Sequence, residues 1–187
     1  MQKIILASNS PRRKELLAGL DLDFEVSVLP GIEESYPSSL PATEIAQYIA
    51  VEKSQAYLQR IRPDELLITA DTVVVVDEEI LGKPSNREDA IRMLKTISGR
   101  THQVITGVCL TASEKQRQFS VVTDVTFKTL SEGEITYYVD HYKPFDKAGA
   151  YGIQEWIGYV GVTSLRGSYY NVMGFPVQRI YQELMDW

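Results

Sequence analysis

One cysteine and two histidines among 187 residues leave little room for several kinds of chemistry. Cys109 cannot close an intramolecular disulfide, and its place in the apolar run Val108-Cys109-Leu110 marks a buried structural thiol. With only His102 and His141 beside it, one chain cannot assemble a thiolate or multi-histidine zinc site, so any metal would be a hard cation on oxygen ligands. Positive charge is scarce too. The 19 Lys and Arg against 25 Asp and Glu leave a formal charge of −6, which argues against a nucleic-acid partner, since such binding rests on neutralising many phosphates. The apolar runs are too short to span a bilayer, and no basic segment with a cleavage site opens the chain. The expectation is a cytoplasmic protein with no membrane partner. Also missing are a G-x-x-x-x-G-K-[ST] loop, a G-x-G-x-x-G turn after a strand and a G-x-S-x-G elbow, so kinase-like, dinucleotide-binding and acyl-hydrolase readings lose support.

What is present points to a small anionic ligand. Ile4-Ile5-Leu6-Ala7 reads as a buried strand, and Ser8-Asn9-Ser10-Pro11-Arg12-Arg13 follows where that strand gives way to a helix. Ser10 can cap the helix and Pro11 suits its first turn, because the missing N–H is not needed there. Backbone donors, the helix dipole, the hydroxyls of Ser8 and Ser10 and the guanidinium groups of Arg12 and Arg13 all favour a phosphate. Two solvated arginines on a surface helix are the plain alternative.

The length suits one domain. Residues 24–29 read as a second strand, 30–37 as a loop containing Glu33 and Glu34, and 42–61 as a helix that includes Lys53. Leu66 to Ala70 and Val73 to Val76 read as doubly covered strand segments interrupted by Asp71-Thr72. Ser85-Asn86-Arg87-Glu88 reads as a capping box, and Gly99 is placed to end its helix. Strand patterns at 101–112 and 118–130 flank the turn 113–116 as a hairpin. Ser131-Glu132-Gly133-Glu134 is a second capping box, and a last helix is expected over 176–185. The sum is an α/β protein, with parallel βα units first and a hairpin later in a mixed sheet.

Asp71 is the sharpest chemical signal, since a charge between apolar strand segments costs free energy unless it is paired, coordinated or open to a ligand. A turn-forming Asp-Thr pair is the bland reading. Glu33 or Glu34 with Asp71 offers hard oxygens for a divalent cation. Lys83 lies in the tight Leu81-Gly82-Lys83-Pro84, and Lys147 precedes the small-residue run Ala148-Gly149-Ala150. Gln154, placed at the start of another expected strand, carries an amide that suits a nucleobase edge. Tyr151 reads as a core tyrosine rather than a stacking partner for a base.

In order along the chain, Ala7-Ser8-Asn9-Ser10-Pro11-Arg12-Arg13-Lys14-Glu15-Leu16-Leu17, Ala70-Asp71-Thr72-Val73-Val74, Gly82-Lys83-Pro84, Gly99-Arg100-Thr101-His102-Gln103-Val104-Ile105-Thr106-Gly107-Val108, Asp146-Lys147-Ala148-Gly149-Ala150-Tyr151-Gly152-Ile153-Gln154 and Asn171-Val172-Met173-Gly174-Phe175-Pro176 closely resemble the Maf family of nucleotide pyrophosphatases. The resemblance implies a single domain over 1–187, with a mostly parallel twisted sheet flanked by helices, two lobes around a central cleft and an ITPase-like fold. It also implies cation-dependent hydrolysis of a nucleoside triphosphate to monophosphate and pyrophosphate. Arg12, Thr72 and Gln154 match the dTTP/UTP branch, while Phe175 and the segment Glu155-Trp156-Ile157-Gly158 depart from the usual pattern. Ser8, Ser10, Arg13, Lys53, Lys83 and Lys147 fall on phosphate-binding positions. Glu34 and Asp71 fall on the positions for Mg2+ or Mn2+, and Asp71 is also the catalytic carboxylate, either orienting or deprotonating water or ligating the metal. The family further implies a homodimer. Its association with septum formation supplies the alternative of a nucleotide-sensing regulator without turnover.

Overall fold

A computed structural model describes residues 2–187. Strand β1 (Lys3–Leu6) runs into helix α1 (Pro11–Ala18) as the sequence pattern requires: Ser10 is the N-cap, its hydroxyl accepting from Arg13 N, and Pro11 opens the helix. Strand β2 (Phe24–Val26) is shorter than the expected 24–29. Helix α2 (Ala42–Gln55) stops well before Ile61, and turns fill the stretch that follows.

The expected break at Asp71-Thr72 is absent. Strand β3 runs unbroken over Glu65–Val76, with Asp71 buried inside it. Asp77 and Glu78, both at positive φ, turn the chain into the short antiparallel strand β4 (Glu79–Leu81), a hairpin the sequence reading lacks. Helix α3 (Arg87–Ile97) is capped by Asn86 rather than Ser85: the Asn86 side chain accepts from Asp89 N, while Asp89 returns to Ser85 N. Strands β5 (Thr101–Thr111) and β6 (Gln116–Phe127) flank the expected turn, closed by Ala112 N donating to Lys115 O at 2.8 Å. Helix α4 (Glu132–Tyr142) has the full Ser131–Glu134 capping box. Gln154 opens no strand. It lies in a turn before helix α5 (Trp156–Gly161), which leads to β7 (Val162–Arg166), α6 (Tyr169–Met173) and α7 (Val177–Met185).

The strand order is β2-β1-β3-β5-β6-β7, with β4 on β3, in a mixed sheet: β1 pairs in parallel with β2 and β3, whereas β4 and β7 pair antiparallel to their neighbours. The chain divides into two compact units. The first comprises the segment ending at Asp71, Thr106–Val121 and Gly174–Trp187, around a core of Leu6, Leu17, Ile68, Leu110, Phe175 and Ile180. The second comprises Thr72–Ile105 and Val122–Met173, around Val74, Leu94, Ile97, Phe127, Tyr138 and Ile157. In the first unit α2 crosses β5 at Gly107, where an added Cβ would lie 2.3 Å from Gln47 Cα, so only glycine permits that approach. Among the described residues no helix is long and apolar enough to cross a membrane.

Candidate active site

Four of the expected site residues meet in the first unit. Lys53, in the last turn of α2, points its Nζ between two carboxylates, 2.8 Å from Glu34 Oε1 and 2.9 Å from Asp71 Oδ1. It also lies 3.4 Å from the Ala70 carbonyl. Arg13 reaches the same stretch of β3 from α1, donating Nη1 to Ala70 O at 3.0 Å and Nε to Gly174 O at 2.9 Å. Those two donors therefore serve backbone carbonyls. Ser8 Oγ accepts from Ser10 N at 3.2 Å and Ser10 Oγ from Arg13 N at 3.4 Å, so both hydroxyls shape the start of α1. Arg12 is half-buried on the same turn.

Burial is the largest influence on Asp71 and raises its pKa above the usual carboxylate range; Lys53 and Arg13 pull it down and Glu34 pushes it up. Burial likewise lowers the Arg13 guanidinium, with Asp71 opposing. Glu34 and Asp71 fit the hard-oxygen donor set of a divalent cation, because two carboxylates already converge on one positive group. No cluster of three or more His, Cys, Asp or Glu suited to a metal occurs among the described residues. Two protein carboxylates completed by ligand phosphate oxygens and water are the usual setting for Mg2+.

The remaining expected residues belong to the second unit. Thr72 is half-buried on β3, one residue after Asp71. Gly149 N donates to Gly82 O at 3.1 Å, which brings the loop carrying Lys147 and Gln154 against the turn carrying the exposed Lys83. Lys147 Nζ lies 3.0 Å from Asp146 Oδ1 and 3.3 Å from Glu155 Oε1. Gln154 Oε1 is buried and has no hydrogen-bond partner among the described residues. Glu33 is exposed, and it is Glu34 that pairs with Lys53.

Two supports of that loop escaped the sequence reading. Tyr138 Oη accepts from Gly152 N at 3.0 Å and donates to Glu155 Oε1 at 2.9 Å. Tyr151 is the core tyrosine expected, and its hydroxyl meets His102 Nε2 at 2.6 Å, leaving buried Nδ1 without a partner. Burial lowers the His102 pKa to about 4, with Asp124 opposing.

The architecture is that of a mixed α/β protein of the Ham1 kind: a Staphylococcus aureus Ham1 structure aligns over 99% of this chain and 98% of its own, with TM-score 0.56 at 14% identity, and a Coxiella burnetii HAM1 protein over 100% of both, with TM-score 0.50 at 13% identity. At those identities the likeness is one of fold. A family profile described as Maf-like protein matches residues 3–187, and the chain belongs to the Maf family. Similar relatives include a protein of Phocaeicola vulgatus, 64% identical over 97% of this chain and 94% of its own, and one of Porphyromonas gingivalis, 54% identical over 99% and 94%. Both are named dTTP/UTP pyrophosphatase.

Proposed function

We propose that this chain hydrolyses nucleoside triphosphates, with dTTP and UTP as preferred substrates, to the monophosphate and pyrophosphate. The observation that carries the reading is the buried Asp71 held on the Lys53 ammonium beside Glu34 and Arg13. Relatives named dTTP/UTP pyrophosphatase support the substrate class.

A water oxygen attacks the α-phosphorus, the bond from that phosphorus to the bridging oxygen breaks, and pyrophosphate departs with the electron pair. The water's proton passes to Asp71. Because Oδ1 is held by Lys53, Oδ2 is the oxygen that receives it. Burial raises the carboxylate's proton affinity, while Lys53 and Arg13 favour the ionised form in which it can act as a base. Positioning and charge neutralisation carry most of such a reaction. Arg12, Lys83 and Lys147 grip phosphate oxygens. Arg13, with Nε and Nη1 on carbonyls, contributes charge and holds β3, and Ser8 and Ser10 set the start of α1 that presents both arginines. When bound, a Mg2+ or Mn2+ ion held by Glu34 and Asp71 supplies neutralisation of the departing pyrophosphate.

For the base, the unpartnered Gln154 Oε1 is an acceptor in want of a donor, and N3–H of uracil or thymine provides one. Cytosine lacks that donor in its neutral form. Arg12 and Thr72 complete the specificity set. A cytoplasmic homodimer belongs to the same reading.

The test is pyrophosphate release from UTP, dTTP, CTP, GTP, ATP and 7-methyl-GTP, with and without Mg2+ or Mn2+, comparing wild type with Asp71→Asn. Metal-dependent release from UTP and dTTP, reduced at least about a hundredfold in the variant, is the expected result. Nucleotide binding without turnover would favour the sensing role instead.

A further inference from the structure

We propose, on the strength of the function just described, that Thr69 is a positioning residue: its buried hydroxyl fixes the last turn of α2 against β3 and so sets where Lys53 meets Asp71. Thr69 is fully buried, and Leu66, Leu67, Ile68 and Ala70 around it are apolar. Its Oγ1 donates a 2.7 Å hydrogen bond to Ala50 O and lies 3.4 Å from Cys109 O. Ala50 stands one turn before Lys53, and Thr69 stands two residues before Asp71. Alternation along a strand puts Thr69 and Asp71 on the same face, the one turned towards α2.

Helix and strand are thus joined twice, by Thr69 to Ala50 and by Lys53 to Asp71. The two ties are unequal. A lysine ends in a compact charge on a flexible four-carbon stem and does not choose its own position, whereas a short hydrogen bond from a stiff β-branched side chain locates the backbone that carries it. Ser54 adds a second lock on the same turn: its Oγ donates to Val51 O at 2.7 Å and accepts from Gln116 Nε2 at 3.2 Å. The close crossing of α2 over Gly107 brings the helix to that distance.

The experiment compares wild type, Thr69→Val and Thr69→Ser for kcat and KM on UTP, and measures the Lys53 Nζ to Asp71 Oδ1 distance in their crystal structures. Thr69→Val is expected to lower kcat at least about tenfold with KM changed less than about twofold, because misplacement of catalytic groups by about an ångström costs rate rather than substrate affinity. Thr69→Ser, which keeps the hydroxyl, should recover kcat to within about threefold. Thr69→Ala deletes the hydroxyl without adding bulk and reads the same effect should Thr69→Val fold poorly. Unchanged kcat in the hydroxyl-deleted variants with only a lowered Tm, or a serine variant as slow as the valine variant, would overturn the assignment. An absence of UTP turnover in wild type would sink the proposed function alone. In that case the distance decides: separation beyond hydrogen-bonding range in Thr69→Val or Thr69→Ala supports the positioning role, and an unchanged 2.9 Å contact refutes it.

Discussion

In the first compact unit every charge of the candidate site that points inward is met by another group: Lys53 by Glu34 and Asp71, Arg13 by two backbone carbonyls. In the second unit the buried polar atoms of interest are neutral and left over, Oε1 of Gln154 and Nδ1 of His102. The difference follows from cost. Removing the partner of a buried charge costs about 3–5 kcal/mol, so the buried charges of the first unit must be met by partners within the protein in order to fold. A neutral acceptor left unpaired costs about 1–3 kcal/mol, small enough for the fold to carry. On the proposed roles, phosphate handling and base reading would therefore place different demands on the free protein.

Breaking the first arrangement should have the largest effect on stability. Lys53→Met leaves Glu34 and Asp71 without their shared cation and should cost about 3 kcal/mol in urea unfolding, the low end for a buried pair because neither Lys53 nor Asp71 is wholly enclosed. An unchanged unfolding midpoint would mean that the charges are compensated in some other way.

His102 sharpens the other side of the comparison through pH. Its folded pKa of about 4 lies below the ordinary 6.5, so the unfolded chain takes up a proton first as pH falls. The stabilisation from keeping His102 neutral is complete above pH 6.5 and is lost as pH drops towards 4. Between pH 7 and 5 that loss amounts to about 2 kcal/mol. His102→Gln should flatten the stability profile by that amount, which unfolding curves at the two pH values would read directly.

The smallest stability change belongs to Gln154→Ala. Removing an unpaired acceptor should leave stability unchanged or raise it by about 1 kcal/mol, while the kcat/KM preference for UTP over CTP falls about tenfold. Retained UTP preference in this variant would remove Gln154 from base recognition.

Local signals in the sequence carried much of the fold. Ser10-Pro11 opens α1, and the Ser131–Glu134 box opens α4, because capping is decided within four residues. Where neighbours compete, the sequence is less decisive: Ser85 and Asn86 can both cap α3, and the return contact from Asp89 settles the matter. The continuity of β3 was hidden for a longer-range reason. Asp71 looks like a breaker in an apolar run, yet the ammonium that makes its burial tolerable comes from a helix 18 residues earlier. Arg13 depends in part on a carbonyl 161 residues away, so its role as a brace was invisible to spacing. The site residues were gathered by colinear motifs and family resemblance. Thr69 and Tyr138 lie outside those motifs, and His102, though inside one, shows its partner Tyr151 only in the fold, because their hydrogen bonds join residues far apart in the chain.

The division of the chain also makes the two units unequal towards loss of the segment Gly174–Trp187. The second unit has no residue beyond Met173, whereas the first unit needs Phe175, Ile180 and Leu184 to fill its core. A chain cut after Met173 therefore keeps every residue of the second unit's core, while the strands that carry Asp71 and its companions would expose an unfilled apolar face. That face is the part of such a cut chain most prone to self-association.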